Sequence, residues 1–177
     1  MATDEPHRAA RIPILDYDPH WPGLFLREAD RIRAALGERV LALGHTGSTS
    51  VPGFAAKPIV DMTLAVANSA NETAYVPALE GAGYVLRIRE PDWHEHRMFK
   101  GPEADVNLHV FSSGCPEIDR ILLFRDWLRT HAADRDLYAR TKIALARRKW
   151  ETVDDYARAK TAVIAEILNR ARDHLYS

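Results

Sequence analysis

Asp61 stands in an otherwise apolar run, Ile59-Val60-Asp61-Met62-Thr63-Leu64-Ala65-Val66. A carboxylate in such a strand has to be paired, protonated or bound to a cation, because burying an isolated charge is costly. Just upstream lies a loop of Gly47, Ser48, Thr49, Ser50, Pro52 and Gly53. Glycine lets a ligand approach the backbone closely and small hydroxyls offer donors without bulk, which suits an anion such as a phosphate. His45 precedes the loop, where it could polarise a phosphate or act as a general base, or equally bond the loop to itself. Lys57 follows the loop and offers a point cation for phosphate charge. Together these residues point to phosphate and metal chemistry.

A second group comes later. From Asp105 the period-two alternation puts Asp105, Asn107, His109 and Phe111 on one strand face and Val106, Leu108 and Val110 on the other. If this strand lies beside the Asp61 strand, Asp105, Asn107 or His109 reaches the same metal; a solvated face with a hydrogen-bonded histidine is the equal alternative. His94 and His96 could join His109 in a three-histidine centre, although an H-x-H pair alone is unspecific. Arg97 and Lys100 form a further basic pair. In the tail, Tyr138 with Lys142 and Tyr156 with Lys160 repeat a Tyr-x3-Lys spacing that puts both side chains on one helix face. They read either as a charged exterior or as a lid, with tyrosine on a base and lysine on phosphate.

The elements that must position these residues follow from periodicity. Trp21, Leu24, Phe25, Ile32, Ala35 and Leu36 recur at helical spacing from Asp18-Pro19 to Gly37. Strands are expected over Val40 to Leu43, Ile59 to Val66, Tyr84 to Ile88, Arg97 to Lys100 and Val106 to Phe111, with a helix over Asn68 to Ala82. Three helical segments follow, Ile118 to Thr130, Arg135 to Trp150 and Val153 to Tyr176. This gives one domain over 1–177: an arm at 1–11, an α/β core at 12–116 and a helical tail at 117–177 packed on it.

With 177 residues, 46% of them hydrophobic, the chain supports one core. No apolar run is long enough to cross a bilayer and the first residues lack a signal-peptide pattern, so the expected location is cytoplasmic. Cys115 is the single cysteine, which excludes an internal disulfide. The formal net charge of -1 gives no global pull toward nucleic acid, although basic side chains outnumber acidic ones from residue 119 onward.

The run HTGSTSVPGFAAKPIVD, with YDPHWPGLFLRE before it and FRDWLRTH after it, resembles the GrpB (UPF0157) family of the nucleotidyltransferase superfamily, which includes DNA polymerase beta. The resemblance covers nearly the whole chain. It implies an α+β fold, a nucleotidyltransferase-like mixed β-sheet flanked by helices with a C-terminal helical segment. In the superfamily the Gly-Ser loop holds a nucleoside triphosphate and two carboxylates two residues apart bind divalent metal; here Asp61 is the first, but Thr63 stands at the second place.

The implied activity is nucleotidyl transfer from a nucleoside triphosphate to a small-molecule acceptor with Mg²⁺ or Mn²⁺. Asp61, His45 and His109 are the catalytic candidates. Gly47, Ser48, Thr49, Ser50, Lys57, Arg97, Tyr138, Lys142 and Lys160 are those for nucleotide, and Asp61, Asp105 and His109 those for metal. The alternative is a non-catalytic nucleotide-binding or accessory domain, related to the one fused to dephospho-coenzyme A kinase. Expected partners are a nucleotide and its acceptor, with neither nucleic acid nor membrane, on a monomer or homodimer.

Overall fold

A computed structural model describes residues 13–103, 105–149 and 151–177 of the chain; the expected arm at 1–11 lies outside them. Five strands form one mixed sheet: β1 (Ala42–Thr46), β2 (Val60–Val66), β3 (Val85–Glu90), β4 (His96–Lys100) and β5 (Val106–Ser112), in the order β1-β2-β5-β4-β3. β2 and β5 pair in parallel at the centre, and the other neighbours are antiparallel. The register sets Thr46 opposite Asp61, Asp61 opposite Asn107, Thr63 and Met98 opposite His109, and Glu90 opposite His96. Residues opposite one another share a face, so one side of the sheet carries Thr46, Asp61, Thr63, Asn107, His109, His96 and Glu90.

The other side is core. Val60, Met62, Leu64, Val106, Leu108 and Val110 are fully buried there with Ile32 and Leu36 of α1 (Trp21–Leu36) and Leu79 of α2 (Val76–Gly81). α1 carries a proline in its first turn and ends at Gly37, whose φ of 56° a β-carbon would strain. Trp21 is buried in this core and Phe25 packs against it.

Helices α3 (Pro116–Thr130), α4 (Ala132–Ala146), α5 (Val153–Ala159) and α6 (Thr161–Leu175) follow the sheet. Val51 and Phe54 of the loop after β1 share a second core with Leu128, Tyr138 and Ile167, so the helices are fastened to the loop itself. Charge-assisted bonds reinforce this docking. Arg125 donates to His45 O (3.1 Å), Arg129 to Ser50 O (2.8 and 3.0 Å) and Lys142 to Ala55 O (2.7 Å).

Three expectations shift. β1 runs on to Thr46, because His45 and Thr46 complete the ladder with Met62 and Asp61. The helix expected from Asn68 begins only at Val76, after a 3₁₀ turn at Glu72–Ala74. The segment from Val153 onward is two helices; Thr152 caps the first in a reciprocal capping box with Asp155, and the break falls at Lys160. No helix among the described residues is long and apolar enough to cross a membrane.

Candidate functional site

Gly47 fixes where Asp61 can sit. Its φ is 69°, and a β-carbon there would stand 2.5 Å from Asp61 Oδ2 and 3.0 Å from Asp61 Cβ, so only glycine fits. Ser48 lies beside it and faces the same space as Tyr138. Thr49 and Ser50 turn into the loop instead: Thr49 Oγ1 donates to Ile59 O (3.2 Å) and Ser50 Oγ to Gly47 O (2.5 Å). Both are buried, which removes them from the expected nucleotide set and gives them the task of holding the loop.

Cross-strand neighbours on the polar face form a chain of four side chains. Asp61 Oδ1 lies 3.2 Å from His109 Nε2, His109 Nδ1 lies 3.0 Å from His96 Nε2, and His96 Nδ1 lies 2.7 Å from Glu90 Oε1. The two imidazoles stack at 5.2 Å, with His96 also on Phe111 at 4.9 Å. Burial lowers the His96 pKa, against the opposing pull of Glu90. Two neutral rings carry two protons between them, so all three contacts are hydrogen bonds at once only when the chain holds a third. Glu90 at its outer end has 44% of its side chain exposed.

Two chambers meet at this junction, sharing Gly47, Ser48, Asp61, His109 and Tyr138. The smaller, about 230 Å³, adds Lys57, Asn107, Lys142, Tyr156 and Lys160. Lys142 is buried, its Nζ 3.9 Å from the Phe54 ring centre, and burial with the charges of Lys160 and Lys57 lowers its pKa to about 7. Burial and Lys57 lower Lys160 to about 8, with Asp61 pulling the other way. Asn107 Oδ1 is buried there without a hydrogen-bond partner among the described residues. Three lysines, two of them held below the ordinary lysine range, line this chamber beside one carboxylate, a charge pattern that suits a polyanion.

The larger chamber, about 490 Å³, runs from the same junction along β3, β4 and α3, lined by Ile88, Trp93, Phe111, Ile121, Phe124, Leu128 and Ile164 beside Glu90, His96 and Thr63.

Three sequence expectations are corrected by the register. His45 pairs with buried Met62, one residue out of phase with Asp61; it stacks on Phe25 at 5.1 Å, bonds Thr49, and burial drives its pKa to about 4. It therefore faces the α1 layer, and a catalytic contact with Asp61 is excluded. Arg97 is also on the core side, buried with Nε donating to Glu72 (2.8 Å), and does not line the smaller chamber. Asp105 is exposed before β5 and pairs with Lys100 at 3.2 Å, and it lines neither chamber, so the triad of Asp61, Asp105 and His109 does not assemble. Among the described residues no three His, Cys, Asp or Glu side chains converge on one ion position. His94 sits at φ 54° against Trp93, apart from the His96–His109 pair.

Glu90 escapes a reading of the sequence, because its partner His96 is revealed only by strand pairing; five residues of turn separate them in sequence. The apolar chamber was missed likewise, since Ile121, Phe124 and Leu128 read as ordinary helix positions.

Comparison with known proteins agrees with this architecture. A model of the family described as GrpB protein matches residues 11–170. The UPF0157 protein BH1888 of Halalkalibacterium halodurans is 60% identical over 94% of this chain and 85% of its own length. A dephospho-CoA kinase of Mycolicibacterium paratuberculosis is 29% identical over 93% of this chain, which spans 47% of the kinase. Among solved structures, the conserved protein GrpB from Enterococcus faecalis superposes with a TM-score of 0.81 at 29% identity, over 93% of this chain and all of that one. The Cid1 poly(U) polymerase superposes at 0.52 with 13% identity, over 75% of this chain and 42% of that one, which shows a shared nucleotidyltransferase-like fold. This chain belongs to the GrpB family.

Proposed function

We propose that this chain transfers a nucleotidyl group from a nucleoside triphosphate to a small-molecule acceptor. The observation that carries the reading is the gathering of Lys57, Lys142 and Lys160 beside the Gly47–Ser48 turn, with Asp61 shared between the two chambers. The lysines and the Ser48 hydroxyl hold the phosphates, while Tyr138 and Tyr156, both buried, set their ring faces against Lys142 and Lys160 and offer none to a base. The acceptor oxygen bonds to the α-phosphorus as the bond to the bridging oxygen breaks, and pyrophosphate leaves with the electron pair. The Asp61 end of the carboxylate–imidazole chain takes up the acceptor's proton while Glu90 releases one to solvent.

A divalent cation fits in one form. Asp61 and the unpartnered Asn107 oxygen, neighbours across β2 and β5, supply two oxygen donors. That suits Mg²⁺ or Mn²⁺ carried in on phosphate oxygens, which keeps several waters and takes one or two protein ligands, and not a preformed two-metal centre. Such an ion, when bound, neutralises phosphate charge as a Lewis acid. The cytoplasm, where triphosphates are made and Cys115 stays reduced, is the matching location.

One observation favours the alternative of a binding or accessory domain. Thr63, at the place of a second carboxylate, is buried with its hydroxyl 2.9 Å from that of Thr46 and offers no charge to an ion. Thermal unfolding with each nucleoside triphosphate, with and without Mg²⁺ or Mn²⁺, separates the two. A ligand at 100 times its Kd stabilises by about 2.7 kcal/mol, about 5–10 °C for a chain of this size. The transfer reading expects that rise to depend on the metal. Equal stabilisation with and without metal overturns it and leaves the binding domain.

A further inference from the structure

Resting on the transfer reading above, we propose that the acceptor is an uncharged, largely apolar small molecule bearing a hydroxyl, bound in the larger chamber with that hydroxyl at Asp61. The division of the cleft assigns the two substrates. Every lysine of the site lies in the smaller chamber, so a polyanion goes there and the acceptor enters from the larger one.

The larger chamber's ionisable side chains already have partners. Glu117 pairs with Arg120 (3.0 Å), Arg125 with Asp126 (2.8 Å), Glu90 with His96 (2.7 Å) and Asp61 with His109 (3.2 Å). A charged acceptor would lose its hydration and meet groups whose hydrogen bonds are already made, which selects against it. A sugar or polyol fares no better. Between those pairs the surface is Ile88, Trp93, Phe111, Ile121, Phe124 and Ile164, which offers a row of hydroxyls no more than the Trp93 indole N–H. An aromatic or branched aliphatic body replaces water against these side chains at about 25 cal/mol per Å² of buried apolar surface. The volume, about 490 Å³, lies within the roughly 300–1,000 Å³ usual for small-molecule pockets. Beside Asp61, where the two chambers meet, Thr63 and His109 offer polar groups able to receive a hydroxyl. The body is therefore held by packing and the reacting oxygen by the junction.

The test uses the full chain without nucleotide and three probes: 2-naphthalenemethanol, sorbitol and a short oligouridylate. Binding is read by saturation-transfer NMR and calorimetry. The aromatic alcohol is expected to bind and the other two not. Ile121→Trp, which fills the chamber from α3, and Ile88→Trp, which fills it from β3 at a position 39% exposed, should each weaken the alcohol at least tenfold while ATP still raises the melting temperature. Two variants on different elements keep the test valid if one fails to fold. Failure of the alcohol to bind, equal affinity in both variants, or preferential binding of sorbitol or oligouridylate overturns the inference. In those cases an ATP-induced rise in melting temperature would leave the nucleotide reading standing. Alcohol binding without any nucleotide effect would uphold the chamber's ligand class and remove the transfer reading.

Discussion

Asp61→Asn is expected to leave a folded protein that has lost the metal-dependent part of nucleotide binding, with transfer reduced by about 100-fold or more. The amide has the carboxylate's shape, so it still fits against Gly47, where no room for a β-carbon exists. Its remaining oxygen or its new N–H can still meet His109, so the melting temperature should stay within a few degrees. What the change removes is the charge that an incoming cation and the lysine-bound phosphates share. Calorimetric titration of wild type and variant with nucleotide, with metal, and with both measures this. The reciprocal change, Thr63→Asp, puts a second carboxylate two residues along the same strand face, at the expense of the bond to Thr46. It should let the protein bind Mg²⁺ in the absence of nucleotide. A metal-dependent nucleotide response that survives in Asp61→Asn would remove Asp61 from the site.

The second large effect is one of pH. Lys142 at about 7 and Lys160 at about 8 are charged in acid and lose their protons as pH rises through those values. A bound polyphosphate favours the charged forms, so binding takes up protons, and its affinity falls once free lysine must be protonated to bind it. Between pH 7 and pH 9.5 the terminal phosphate, with a second pKa near 6, no longer changes charge. Over that window we expect affinity for a nucleoside triphosphate to fall at least tenfold, with proton uptake visible at pH 8 as a difference between buffers of unlike ionisation enthalpy. The unliganded fold behaves oppositely. An unfolded lysine titrates near 10.4, so from about pH 7 to 10 the unfolded chain binds more protons and stability rises with pH. A pH-independent affinity would mean that the phosphates do not reach these lysines.

The strand pattern made much of this legible. The alternation from Asp105 to Phe111 separated core from polar face because each residue on β5 alternates without a bulge, and the glycine-rich turn before an apolar strand located Asp61. The Tyr-x3-Lys spacing put Lys142 with Tyr138 and Lys160 with Tyr156, and the structure places all four at the small chamber. Parity defeated the rest. His45 and Arg97 each lie one residue out of phase with the polar face, and a shift of one residue in a strand reverses a side chain's direction. Gly47 and Gly101 mark where the two strands end, but a turn residue does not say which side chains face the polar side. Asp105 had the right parity, but as the residue before the strand it was free to reach Lys100. The Glu90 to His96 contact depends on how β3 folds back on β4, including the register shift between Leu86 and Ile88, which no local pattern records.

The parallel pairing of β2 with β5 has a consequence for how the molecule comes into being. Asp61 and His109 are 48 positions apart, and parallel strands cannot be joined by a tight turn, so α2 and the β3–β4 hairpin lie between them in the chain. Closing so long a segment costs entropy before any contact across the β2–β5 seam repays it, which makes this the slow step of assembly. The hairpin brings Glu90 and His96 together early and locally, whereas Asp61 meets its imidazole only when the centre of the sheet closes. A newly made chain is therefore expected to form the Asp61–His109 contact last. Protection of β2 amides in pulsed hydrogen exchange should lag behind that of β3 and β4, and simultaneous protection would contradict this order.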